Sequence, residues 1–418
     1  MINAGIEAIN LYGGSAYIDV SELAAHRNLD TKRFDNLLLK NKSVVLLHED
    51  PITLGVNAAK PIIDKLTDEE RNSIKLLITC TESGVDFSKS LSSYIHQYLN
   101  LSNQCRMFEI KNACFAGTAG YQMALNFILS NTYNGGKALV IATDVSRFSM
   151  AEGKDASKEQ WAFAEPSGGA GAVAMLVGSN PVVFKSDIGA NGNYAYNVFD
   201  TFRPNLDGEA GDADLSLLSY LDCMEKAYAD YESKVANVNY KETFDYLAFH
   251  TPFGGMVKGA HRTMMRKKFK SKTSEIEEDF KKRVEPGLIY CKQVGNIMGA
   301  TIFMFLASII DNVNLVGNKR VGCFSYGSGC CSEFYSGVIS KQGKEKQKTF
   351  NIQETLDNRY KLSMEEYDRV LYESSKVIFG TRDIKLDLSN LDKIYKKGQK
   401  RLVLQEIKGY ERIYGWYE

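Results

Sequence analysis

The sequence predicts an α/β fold made of two pseudo-repeated halves, and three observations predict it. Apolar strand-like runs alternate with helix-like runs, the pattern of parallel strands covered by helices. The order strand, chemically useful residue, buried helix, strand occurs twice along the chain. The segments 116–129 and 297–310 are apolar round most of their circumference, so each is expected to be a helix buried on most sides. The halves are 1–180 and 181–418, integrated in one domain, with no linker rich in Pro, Gly or Ser between them. Paired sheets with helices between and outside them, a layered α/β/α/β/α sandwich, are the expected outcome.

In the first half, the apolar strand 74–79 runs into Cys80-Thr81-Glu82-Ser83-Gly84. A strand near 107–110 leads to Asn112-Ala113-Cys114-Phe115 and then to the apolar helix, whose Thr118, Gln122 and Asn126 share one polar stripe. The strand 138–142 ends at Asp144. A surface excursion over 153–166 is expected before the small-residue strand 168–178. In the second half, the strand 246–249 ends in His250-Thr251-Pro252-Phe253-Gly254-Gly255, and Val294-Gly295-Asn296 opens the second apolar helix. The strand 320–324 is expected to end at a tight turn, Ser325-Tyr326-Gly327-Ser328-Gly329. The charged stretch 259–283 is expected to be helical, and polar helices with short strands follow from about residue 342.

Composition narrows the function. The chain has 418 residues, 44% hydrophobic and 24% charged, and its 51 basic and 51 acidic side chains cancel. Neither nucleic acid nor a membrane surface is suggested by that balance. The most apolar run, 297–310, is too short to cross a bilayer, which takes roughly 20 residues. Eight cysteines without a C-x-x-C pair suggest reduced thiols in a cytoplasmic enzyme and no metal site.

Ligands gather at the carboxyl ends of strands in such sheets, where Glu82, Cys114, His250, Asn296 and Ser325 all fall. Cys114, at a helix start, is placed where unsatisfied N–H groups favour a thiolate nucleophile. Alone it would read as a core cysteine. Glu82 can serve as a general base if partial burial raises its pKa. His250 can donate a proton or polarise a carbonyl. The Asn296 amide, and a backbone N–H at Ser325, could stabilise negative charge on a thioester oxygen. His26, His48, His96 and His261 lack such context.

At these residues the chain resembles the 3-hydroxy-3-methylglutaryl synthase family. The blocks that carry the resemblance are Thr81 to Gly84, Asn112 to Ala119, Glu165 to Leu176, His250 to Phe253, Gly295-Asn296 and Phe324 to Gly329, in family order across most of the chain. The resemblance implies the thiolase fold, acetylation of Cys114, acid/base work by Glu82, and an acceptor β-keto group held and protonated by His250. It implies no cofactor beyond the phosphopantetheine or CoA that carries each thioester, and a homodimer.

Within the family the chain is most similar to the polyketide β-branching enzymes, through Lys111-Asn112-Ala113-Cys114, Trp161 to Pro166 and Met256 to Arg262. That implies donor and acceptor acyl carrier proteins as partners. Six basic residues lie between 262 and 272, a rim able to steer an acidic carrier protein. Lys258, Arg262, Arg266 and Arg33 are the expected carrier or phosphopantetheine contacts. A synthase using acetoacetyl-CoA, a ketoacyl synthase of the same fold, and a non-catalytic carrier-docking scaffold are the alternatives. Glu82 disfavours the ketoacyl synthase, because decarboxylative condensation does not need it.

Overall fold

The computed structural model describes residues 3–29, 34–146, 164–205, 208–396 and 398–418. A nine-stranded sheet runs through it. In chain order its strands are β1 (Gly5–Tyr12), β2 (Ile74–Cys80), β3 (Arg106–Ile110), β4 (Lys137–Val145), β5 (Ala170–Gly178), β6 (Phe184–Ala195), β7 (Tyr246–Phe249), β8 (Lys319–Gly327) and β9 (Cys331–Ile339). Their spatial order is β7-β8-β9-β6-β1-β5-β4-β2-β3.

The repeat read from the sequence is visible in that order. In the first half β2 is parallel to β3 and β4, while β5 and then β1 add antiparallel. In the second half β7 is parallel to β8, while β9 and then β6 add antiparallel. The second half therefore reproduces β2-β4-β5-β1 as β7-β8-β9-β6, without a counterpart of β3. The halves join through a short antiparallel pairing, Gly5 with Lys185 and Ile6 with Phe184.

Helices cover both faces of each half. Helix α1 (Pro51–Ile63) starts from a capping box in which Asp50 accepts from Ile52 and Thr53 N–H. It packs on the Ile141 and Thr143 face of β4, against Gly55. Helix α2 (Ala116–Ser130) takes the opposite face, where Gly120 lies on Ile78, Cys80 and Val140. In the second half, α3 (Ala213–Lys234) sets Tyr220 edge-on to Phe324 and Tyr231 edge-on to Phe334, and Ser325 on the other face meets α2. Helix α4 (Thr301–Asn312) packs against β7 and β8. These layers form the expected α/β/α/β/α sandwich.

The two central helices approach at glycines. A Cβ on Gly117 would lie 2.1 Å from the Gly299 carbonyl oxygen, so only glycine permits this contact. Gly299 belongs to a single 3₁₀ turn, Met298–Ala300, ahead of α4. The α-helix thus begins later than position 297, and the extra turn carries the chain past α2. The charged stretch forms two helices, α5 (Gly254–Phe269) and α6 (Thr273–Arg283). Most of the expected excursion over 153–166 lies outside the described residues; from Ala164 a short helix leads into β5.

Candidate active site

Cys114 stands where β3 hands over to α2. Ala113 takes a left-handed backbone conformation, φ 43°, which costs a non-glycine residue about 1 kcal/mol or more. That kink, tied by Phe115 N–H to Asn112 O at 3.0 Å, sets the half-buried Cys114 just ahead of the first helical residue. The end of β8 closes over this loop. A Cβ on Gly327 would meet Phe115 N at 2.6 Å and Asn112 O at 3.0 Å. Ser325, two residues earlier on the same strand, accepts a hydrogen bond from Thr118 on the first turn of α2 at 2.8 Å.

Glu82 follows β2, and its loop is organised by one buried carboxylate. Asp144 Oδ1, at the end of β4, accepts from Glu82 N (2.8 Å), Thr81 Oγ1 (2.9 Å), Ser83 N (3.1 Å) and Ser83 Oγ (2.9 Å). Burial pushes the Asp144 carboxyl up to about 6, against the pull of the Glu82 N–H and the Arg203 charge. Thr81 N–H donates to Ile110 O at 3.1 Å, pinning the Glu82 loop to the strand that delivers Cys114. The Glu82 side chain pairs with Arg203, Oε1 to Nη2 at 3.1 Å.

Arg203 comes from a hairpin, Thr201–Asn205 with Gly208–Gly211. The buried Asp200 anchors that hairpin, accepting from Tyr326 Oη at 2.5 Å and Gly329 N at 2.9 Å. Asp200 therefore ties the Glu82–Arg203 pair to the glycine turn beyond β8.

At its strand ends and helix start the second half supplies neutral groups. His250, 1% exposed at the end of β7, donates its N–H to Phe324 O at 2.8 Å, and its carbonyl accepts from Tyr220 Oη at 2.6 Å. Burial pushes its imidazole down to about 3, so the ring is neutral near pH 7. Its Nδ1 has no hydrogen-bond partner among the described residues. Asn296 follows Gly295, whose φ of 83° turns the chain into the 3₁₀ segment. Asn296 Oδ1 accepts from Met298 N at 3.0 Å and Thr301 Oγ1 at 2.9 Å. The Met298 N–H needs an oxygen acceptor, so the amide NH₂ is the end turned away from it. Asn296 also bridges to Gly168, and its N–H donates to Ser167 O at 2.8 Å.

The structure thus links the loops of Glu82, Cys114, His250 and Ser325 through short contacts, with Asn296 at the glycine crossing of α2 and the 3₁₀ turn. One expectation needs correction. Ser325 is not in a turn: it is a β8 residue opposite Glu333 in β9, and the strand continues to Gly327. The reason is packing, because the strand must reach the Cys114 loop. Asp144, Asp200 and Arg203 were missed as site residues. Asp144 carried a signal, a lone acid closing an apolar strand, whereas Arg203 carried none.

Arg33 lies outside the described residues, as do Trp161 to Phe163. Lys258 pairs with Glu277 at 2.8 Å, and Lys267 and Lys268 pair with Glu225 and Glu232. Arg262 and Arg266 are exposed one turn apart on α5, and Arg266 reaches Thr273 Oγ1 at 3.3 Å. His48 bonds Tyr395 Oη at 3.0 Å, and His261 lies between Tyr240 and Asp279. No disulfide joins any of the eight cysteines, all of which lie among the described residues. Among the described residues, no helix is long and apolar enough to cross a membrane.

Comparison with known proteins agrees with this architecture. The profile described as hydroxymethylglutaryl-coenzyme A synthase N terminal matches residues 2–182, and its C-terminal counterpart matches 182–279 and 263–397. The polyketide biosynthesis 3-hydroxy-3-methylglutaryl-ACP synthase PksG of Bacillus subtilis is 62% identical, with the whole of both chains covered. The hydroxymethylglutaryl-CoA synthase of Enterococcus faecalis is 32% identical over 88% of this chain and 92% of its own. The crystal structure of the curacin biosynthetic pathway HMG synthase in complex with holo donor-ACP superposes with a TM-score of 0.95. It is 57% identical over 99% of this chain and all of that one. The chain belongs to the hydroxymethylglutaryl-coenzyme A synthase family.

Proposed function

We propose that the chain is the acyltransferase that installs a 3-hydroxy-3-methylglutaryl-type branch on a polyketide held by an acyl carrier protein. The observation that carries this reading is the 62% identity, end to end, with a synthase named for carrier-protein substrates, against 32% with one named for CoA. The exposed Arg262 and Arg266 on α5 support it, since they offer cations to an acidic carrier.

In the proposed reaction, the Cys114 sulfur attacks an acetyl thioester on the donor carrier. Acetyl-Cys114 forms and the carrier thiol leaves. Glu82 takes a methyl proton, and the carbanion attacks the β-ketone of the acceptor thioester. The ketone oxygen, held by His250, gains a proton to become the tertiary alcohol. Water then cleaves the Cys114 thioester, releasing a carboxylate and restoring the thiol. A neutral imidazole suits the acceptor role, because it can donate a hydrogen bond to the ketone oxygen. The Asn296 NH₂ and the Cys114 loop would hold the enolate oxygen. Because a thioester acidifies its own methyl group, the scheme calls for no metal and no nicotinamide.

We further propose a cytoplasmic homodimer. Eight cysteines without a disulfide between them support the compartment. Supporting the dimer, β3 pairs only with β2 among the described residues, which leaves its outer edge, with exposed Met107, open to a second copy.

Steady-state turnover with the same β-ketoacyl group on a carrier protein and on CoA tests the reading. We expect kcat/KM to favour the carrier by about tenfold or more, about what charge complementarity contributes to association. Equal or better turnover of acetoacetyl-CoA would overturn the carrier assignment and leave a CoA synthase. Binding of carrier without turnover on either substrate would leave a docking scaffold.

A further inference from the structure

Arg203 has no role in the scheme above, yet it is the cation that meets its acid/base group. Its Nη2 lies 3.1 Å from Glu82 Oε1, with the two side chains only 18% and 14% exposed. Acidic groups also flank the Glu82 loop. Asp144 holds the Glu82 N–H from the end of β4. Glu109 of β3 packs at Gly84, its carboxyl raised by burial and then by Asp144 and Asp86. The neighbouring thiol of Cys80 is pushed up by burial and by the same Asp144 and Glu109. His250, just after β7, is neutral, and the β3 end carries Cys114 and, directly after the strand, the exposed Lys111. Arg203 thus pairs with Glu82 while also acting on the Asp144 carboxyl, and a base must be unprotonated to act.

We propose that Arg203 is a positioning residue for the condensation, holding Glu82 ionised and aimed until the methyl proton is taken. The inference rests on Glu82 being the acid/base group. An ion pair favours the carboxylate over the acid, and here it competes with carboxylate crowding that acts the other way. When Glu82 accepts the proton, its charge disappears, but the guanidinium still has Asp144 within reach of its field. No buried cation is then stranded, which would carry a large penalty. The anchorage of Asp200 to Tyr326 and Gly329 keeps the hairpin, and so the guanidinium, in place through that step.

The test compares Arg203→Met, Arg203→Lys and Glu82→Gln with the wild-type chain. Two readouts separate the half-reactions: mass of acetyl-Cys114 after mixing with acetyl-carrier, and product formation across a pH series. Acetylation needs no proton from the methyl group, so both Arg203 variants should label at a near-normal rate. Condensation by Arg203→Met should fall about 100-fold at neutral pH, the order of a general base held in the wrong state. Its acidic limb should move about one pH unit upwards, the size of one lost ion pair. Arg203→Lys, which keeps the charge, should recover most of both effects and remains informative if the methionine variant misfolds. Unchanged condensation in Arg203→Met, or equal loss of both half-reactions with an unmoved limb, would overturn the inference. Glu82→Gln that still condenses would instead remove the acid/base assignment beneath it.

Discussion

The two halves of the molecule occupy equivalent strand ends with opposite chemistry. At β2, β3 and β4 the first half presents Glu82, Cys114 and Asp144, groups that carry or can carry charge, and the first two are only half-buried. At β7 and β8 the second half presents His250 and Ser325, and Asn296 stands ahead of α4. The histidine and serine are fully buried and all three groups are neutral. A duplicated scaffold has thus been divided into a side that handles bonds and protons and a side that donates hydrogen bonds. The difference follows from environment, since burial without a counter-ion favours the neutral form at these three positions.

The sharpest way to break that comparison is to disturb a neutral donor and look for a catalytic cost. Asn296→Ala should lower condensation about 100-fold, the usual loss for one oxyanion donor, and cost only about 1 kcal/mol of stability through the lost Met298 and Thr301 contacts. Asn296→Asp should be worse, because it puts a negative charge where the enolate oxygen would develop its own. A rate within twofold of wild type for the alanine variant would place the oxyanion donors elsewhere.

Much of this contrast was legible before the fold. Glu82, Cys114 and His250 each end an apolar run, and strand ends are where parallel α/β sheets expose side chains. Strand 246–249 was bounded correctly because its apolar run stops at His250. The limits of β8 were not legible. Gly-rich sequence reads as a turn, whereas Gly327 is extended and small so that the strand can lie on Phe115. Arg203 was invisible because its significance is a contact across 121 positions of chain, with no local pattern to announce it.

Smaller effects sharpen the comparison further. Gly117→Ala should destabilise the fold by about 3 kcal/mol, since its methyl would overlap the Gly299 carbonyl where the halves touch. Urea unfolding measures this, and an unchanged midpoint would mean that the two helices can part freely.

His250 predicts a pH effect of definite sign. Its folded pKa, about 3, lies below the unfolded value of 6.5. The unfolded chain therefore gains a proton as pH falls through 6.5 while the folded chain does not. Stability present at neutral pH is lost on acidification, by about 2 kcal/mol at pH 5. His48, pushed down by burial to about 4, acts in the same direction. Comparing wild type with His250→Gln at pH 5 and 7.5 isolates the His250 share, and identical pH slopes would show that the imidazole is solvated. Smallest of all, Arg262→Glu with Arg266→Glu should raise KM for carrier substrates about tenfold at low salt and leave CoA thioesters alone. An equal effect on both would place the rim outside carrier recognition.

The division of labour is tested most directly by intact-protein mass after mixing with acetyl-carrier protein alone. Wild type and Glu82→Gln should both gain about 42 Da, lost on mild thiolysis, as expected of a thioester on Cys114. Cys114→Ser should gain no thiolysis-sensitive mass, and only the wild type should go on to the branched product when acceptor is added. Labelling that survives in Cys114→Ser, or product formed by that variant, would contradict the assignment of the nucleophile.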